Sequence, residues 1–158
     1  MKNKVLCLKK IVSGGQTGVD RAALDAAILA NMPVGGWCPK GRLAEDGVIG
    51  SKYPLQETVS RLYRERTCKN VIESDATLII TGKLLNGGTA LTKEYADKHS
   101  KPLLIINPAD SGGVNRVRQW LAANNIRVLN IAGPRESTSP GIYSSAHGFL
   151  TELFKSLK

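Results

Sequence analysis

Two segments of this chain place side chains and backbone where they could hold an anion. The first, K-I-V-S-G-G-Q-T-G-V-D-R, runs from Lys10 to Arg21; the second, A-T-L-I-I-T-G-K-L-L-N-G-G-T-A-L-T-K-E, runs from Ala76 to Glu94. In each, an apolar β-branched run stops, glycines follow, and an amphipathic helical pattern begins. Glycine lets a backbone approach a ligand closely and tolerates positive φ. A helix N-terminus adds unpaired N–H groups and a partial positive charge. Gly14, Gly15, Gln16, Thr17 and Gly18 form one such corner, and Gly87, Gly88 and Thr89 the other. Two corners on one sheet edge point to a phosphate-bearing, nucleotide-like ligand. Neither matches a standard fingerprint: G-G-Q-T-G is not G-x-G-x-x-G, and the T-G-K at Thr81–Lys83 lacks the rest of a Walker A loop.

Other candidates follow the same logic. Gln16 is expected to be exposed in its turn, with an amide able to read a ligand heteroatom. Asp20 either compensates the dipole of the first helix or binds a ligand hydroxyl or amine. Lys40 and Arg42, after Trp37-Cys38-Pro39, are expected to contact phosphate from an overhanging loop, unless Glu45 and Asp46 pair with them. Arg135, with Glu136 and Ser137 in a Pro-rich turn, has a guanidinium that can fork onto phosphate or carboxylate. Glu57, Arg64, Glu65 and Arg66 read as a salt-bridged helix surface. Cys38 is a packed thiol or, with Lys40 nearby, a reactive one. The two histidines, His99 and His147, lie outside these loops, so no Ser-His-Asp or Cys-His arrangement can be assembled. No metal-ligand spacing is present, and no protein-held metal is expected.

The elements that must position these groups alternate along the chain. Strands are expected at Leu8–Ser13, Pro33–Cys38, Ala76–Thr81, Leu103–Asn107 and Arg127–Ala132. Helices are expected at Val19–Asn31, Thr89–Ser100, Gly113–Asn125 and Ile142–Lys158, with further helical periodicity, in two pieces, across Gln56–Ser74. Pro39–Lys52 reads as a long polar loop. Alternation implies crossover connections and an α/β, doubly wound, mostly parallel sheet with helices on both faces. In such sheets ligands bind beyond the carboxyl ends of the strands, where most of the Gly, Pro and polar content falls.

At 158 residues the chain reads as one domain, 1–158, long enough to bury about 70% of its unfolded surface. No apolar run reaches the roughly 18 residues of a membrane span, and the basic, then apolar start reads as a first strand and not as a signal peptide. Three widely spaced cysteines, without C-x-x-C, fit reduced thiols in a cytoplasm. The net charge of +9 favours anionic partners, although few aromatics are present to stack bases, which argues against a nucleic-acid module. Seven of the eight residues from Ala22 to Leu29 are apolar. A helix apolar on more than one side is buried on more than one side, so a homo-oligomer is expected.

In order along the chain, S-G-G-Q-T-G-V-D-R-A-A-L-D-A-A, W-C-P-K-G-R-L-A-E-D-G, Y-P-L-Q-E-T, Y-R-E-R-T, N-V-I-E-S-D-A-T-L-I-I, G-G-T and A-G-P-R-E-S-T-S-P-G-I resemble the family described as molybdenum cofactor carriers. That family is similar to a wider Rossmann-like group that includes cytokinin-activating nucleotide hydrolases and DNA-processing proteins. The resemblance spans about Ile11 to Ile142. It implies a carrier of molybdopterin-type cofactor, with molybdoenzymes as recipients, or another nucleotide binder; it also opens the option that Cys38 coordinates a bound molybdenum. The hydrolases carry P-G-G-x-G-T-x-x-E, with a glutamate acting at the glycosidic bond. Here the third residue after Thr89 is Thr92, and Glu94 lies two further on. On a helix these two point about 200° apart, which argues against the alternative of a nucleotide-processing enzyme.

Overall fold

The computed structural model describes residues 6–158; Lys2 and Lys4 of the basic start lie outside them. Five strands form the central sheet: β1 (Lys10–Val12), β2 (Val34–Gly35), β7 (Ala76–Ile80), β8 (Leu103–Ile106) and β9 (Val128–Ala132). Their order is β2-β1-β9-β7-β8, and every pairing is parallel. All five residues of β7 are buried, as a near-continuous apolar run predicts for a strand covered on both faces. The doubly wound α/β architecture read from the alternation of elements is the one observed.

The helices are α1 (Val19–Leu29), α2 (Tyr63–Ile72), α3 (Gly87–Lys98), α4 (Gly113–Ala123) and α5 (Ile142–Ser156). Helices α1, α5 and α4 cover one face. There Val19, Ala22, Ala23, Ala26, Val117, Leu121, Leu150 and Phe154 join Ile11, Leu78, Ile80, Leu129 and Ile131 in the main core. Helices α2 and α3 pack together over the opposite face. Side-chain alternation along the strands places Thr77 and Asn130 on that side, where Asn130 Nδ2 donates to Thr77 Oγ1 at 3.2 Å.

The segment between β2 and α2 differs from its sequence reading. Pro33–Cys38 is not one strand: Gly36 (φ +130°) divides β2 from β3 (Trp37–Cys38), because a Cβ there would meet the Ser13 carbonyl. Strand β3 pairs in parallel with β6 (Gln56–Glu57), so the start of the stretch read as helical is extended. Pro39–Lys52 contains a small hairpin, β4 (Leu43–Ala44) with β5 (Gly47–Val48). Arg42 organises this region. Its guanidinium donates to the carbonyls of Ile49, Gly50, Tyr53 and Leu55 at 2.9–3.1 Å.

That folded segment also accounts for the second apolar side of α1. Leu24 packs with Cys38, Ile49, Tyr53 and Leu55 in a second core, while the other side of α1 meets α5. Only Ile28 and Leu29, at its last turn, are exposed. No described helix is long and apolar enough to cross a membrane.

Candidate functional site

The connections β1–α1–β2 and β7–α3–β8 leave the sheet in opposite directions, with β9 between them. A crevice opens at such a reversal of strand order. Here it is a cleft of about 390 Å³, within the size range of small-molecule sites. Gln16 and Asp20 form its floor. One wall is α2, through Tyr63, Arg66 and Thr67; another is the start of α3, through Asn86, Gly87, Gly88, Thr89 and Thr92. The loop after β9 closes it with Pro134, Arg135, Ser137 and Thr138.

The two glycine corners do different work. Gly87 and Gly88 have open space where a Cβ would stand, and α3 starts with no side-chain cap and no acidic residue in its first turn. Its N-terminus therefore faces the cleft as an uncompensated positive pole. In the first corner the protein itself fills the space. A Cβ on Gly14 would fall on the Arg66 guanidinium and 2.9 Å from Asp20 Oδ2; one on Gly15 would lie 2.7 Å from Leu55 Cδ1 and 2.9 Å from Ile49 Cδ1. A Cβ on Gly18 would meet the Pro134 carbonyl. These glycines admit the floor's ion pair, the second core and the β9–α5 loop.

Gln16 is buried, contrary to its expected exposure: its Oε1 accepts from Thr17 N at 3.0 Å and from Glu45 N at 2.9 Å. Asp20 is 4% exposed. Its Oδ2 accepts from Gln16 N at 3.2 Å and from Arg66 Nη1 at 3.3 Å. Burial pushes this carboxyl up from the usual carboxylate range, against the pull of Arg66. Gln16 Nε2 and Arg66 Nε are buried without a hydrogen-bond partner.

The remaining candidates divide. Arg135 reaches the rim, 3.8 Å from Glu45 Oε2, with its guanidinium 5.6 Å from the Tyr63 ring centre; Arg66 lies 5.7 Å from the same ring. Ser137 lines the cleft and donates from N and Oγ to Glu45 at 3.2 and 2.5 Å. Thr17 Oγ1 also donates to Glu45 and accepts from Glu136 N. The hydrogen bonds from Ser137 and Thr17 hold the Glu45 carboxyl below its usual range. Asp46 takes both Arg21 Nη atoms at 3.0–3.1 Å. The acidic pair thus engages Arg135 and Arg21, not Lys40 and Arg42. Lys40 is exposed and does not line the cleft, and Arg42 is held by its four carbonyls. Cys38 is fully buried in the second core, and burial pushes its thiol up. Among the described residues no group of three His, Cys, Asp or Glu could hold a metal ion.

Arg66 and Tyr63 are the residues that sequence reasoning missed. A signal was present: Tyr63, Arg66 and Thr67 recur at i, i+3 and i+4, one face of a helix. Thr92 lines the cleft, its Oγ1 bonded to the Gly88 carbonyl at 2.8 Å, while Glu94 is exposed and turned away.

Comparison with known proteins gives two matches. The model of the circularly permutated YpsA SLOG family matches residues 11–154. A crystal structure at 1.45 Å resolution, of the "Putative molybdenum carrier protein" from Syntrophus aciditrophicus SB, is 48% identical. It aligns with a TM-score of 0.90 over 94% of this chain and 95% of its own. No curated protein matches.

Proposed function

Since this chain belongs to the circularly permutated YpsA SLOG family, we propose that its cleft binds and carries a phosphorylated, nucleotide-like ligand. The observation that carries this reading is the convergence, in one cleft, of an uncapped helix N-terminus and two arginines. The molybdopterin-type cofactor is the candidate favoured by the name of the 48% identical relative. The donor set suits such a ligand: Gly87, Gly88, Thr89, Arg135 and Ser137 for an anionic group, with Tyr63 as a flat wall beside a ring. The cofactor brings its own metal, so these residues need only bind it. Cys38, sealed in the second core, has no path to that metal. Delivery to molybdoenzymes, within the cytoplasm, completes the proposal.

A carrier must hold its ligand unchanged. At the position where the hydrolases place their glutamate stands Thr92, whose hydroxyl is bonded to backbone. General acid–base catalysis contributes about 10²–10⁴-fold and needs a group within reach of the reacting atom. GMP and AMP incubated with the protein are therefore expected to yield no free base by chromatography.

Calorimetry with inorganic phosphate and GMP tests the binding reading. Gly88 has open space for a Cβ and no positive φ, so Gly88→Ala keeps the fold and the affinity. Gly88→Glu sets a carboxylate against the α3 N-terminus and lowers affinity at least about tenfold, the scale of a helix-pole interaction in a partly buried site. Equal binding by both variants would remove α3 from the site. Native mass spectrometry of protein from its own host then identifies any retained ligand.

A further inference from the structure

One carboxylate of the protein already sits where an anion would be held. Glu45 lies in the turn between β4 and β5. Its Oε1 accepts from the Thr17 hydroxyl and from Ser137 N at 3.2 Å, and its Oε2 from Ser137 Oγ at 2.5 Å. Arg135 Nη1 lies 3.8 Å from Oε2. Two hydroxyls, a backbone N–H and a guanidinium around one carboxylate make the donor set of an anion subsite. This subsite borders the cleft and is open to solvent. Arg135 and Ser137 line the cleft, and the side chains of Arg135 and Glu45 are 39% and 21% exposed.

Counting hydrogens turns the arrangement into a competition. Ser137 has two hydrogens to give, on N and Oγ, and the Thr17 hydroxyl has one. All three go to Glu45. An incoming anion can use them only by taking them from Glu45, and beside the charged carboxylate it would be repelled. Departure of Glu45 asks little of the backbone. The turn is pinned independently, by Glu45 N on Gln16 Oε1 and by the Arg21 fork on Asp46. Rotation about the Glu45 side-chain bonds is therefore enough. Resting on the ligand-binding reading above, we infer that Glu45 is a gate: its carboxylate fills the Thr17–Ser137–Arg135 subsite until a ligand's phosphate takes its place. The gate lowers apparent affinity, because the subsite is competent only when Glu45 has swung out.

Calorimetric titrations with inorganic phosphate and GMP test this on the wild type, Glu45→Ala, Ser137→Ala and the double variant. Glu45→Ala frees the subsite and is expected to tighten both ligands at least about tenfold, the scale of hydrogen bonds to a charged group. In the Ser137→Ala background the same change should tighten them no more than about threefold, because a contested donor is gone. Glu45→Gln keeps the size of the side chain and one accepting oxygen. It should fall between wild type and Glu45→Ala, and it takes the place of the alanine variant if that protein does not fold. A residue that only ties down the hairpin would give a lower Tm with unchanged or weaker binding. That result, with the wild type still binding phosphate, would overturn the gate and leave the cleft reading standing. An equal gain with and without the Ser137 hydroxyl would reduce Glu45 to a distant repelling charge, and would also overturn the gate. Failure of every protein to bind either ligand would overturn both readings.

Discussion

At the scale of single residues, the glycines of the first corner carry the fold and those of the second line the cleft. Gly15 has φ +77°, and a Cβ there would press on Leu55 and Ile49. Gly15→Ala should lower stability by about 1–3 kcal/mol, from backbone strain and overpacking, as read by thermal denaturation. Asp20 offers a second residue-scale test. Arg66 from α2, Arg21 along α1, Ser13 and the Gln16 N–H all favour its charged form, yet burial raises its pKa overall. As pH falls, this group protonates before an ordinary carboxyl does. A raised folded pKa means that protonation favours the folded state, so Asp20's contribution to stability grows on acidification and is lost as pH rises through the folded value. Glu45 and Asp46, with lowered pKa values, contribute stability that disappears only below the usual carboxylate range. Asp20→Asn should therefore cost more stability at acid pH than at neutral pH. Melting of the two proteins across pH checks this, and a cost independent of pH would refute it.

Among the elements, the segment from β3 to β6 is the one whose order depends on a single side chain. Arg42→Lys removes a fork that serves four carbonyls, and a point-charge ammonium cannot replace it. A loss of about 2–3 kcal/mol is expected, with proteolysis concentrated between residues 39 and 58 and the parallel sheet intact. The same region marks the limit of what was legible in the sequence. Strands β1, β7, β8 and β9 of the main sheet and the helices α1, α3, α4 and α5 announced themselves by apolar runs and glycine stops. Two-residue strands such as β3 and β6 have no periodicity to read; main-chain pairing and a distant guanidinium create them. Likewise, the cleft's position at the strand ends was legible, as were Gly87, Gly88, Thr89, Arg135 and Ser137 as its lining residues. Arg66 was not, because a charged helix face reads as solvated surface. What buries it is the missing Cβ of Gly14, far away in sequence.

For the whole molecule, the charge of +9 is a field more than a set of contacts. Association of GMP or another anion should slow as salt rises through the physiological range, where the screening length is about 8 Å. Stopped-flow rates at two ionic strengths read this, and dissociation rates should change less. The position of β9 has a consequence of another kind. It comes last in chain order among the described strands, yet it lies at the middle of the sheet, joining β2-β1 to β7-β8. Until Val128–Ala132 leaves the ribosome, the earlier strands form two separate pairs with no neighbour between them, and the loop that closes the cleft does not exist. Such distant pairings make folding slow, and open edges on the nascent chain are exposed to mispairing meanwhile. The cleft is therefore assembled only after Val128–Ala132 and the loop behind it have been made, so a chain stalled before residue 128 should be protease-sensitive and unable to bind GMP.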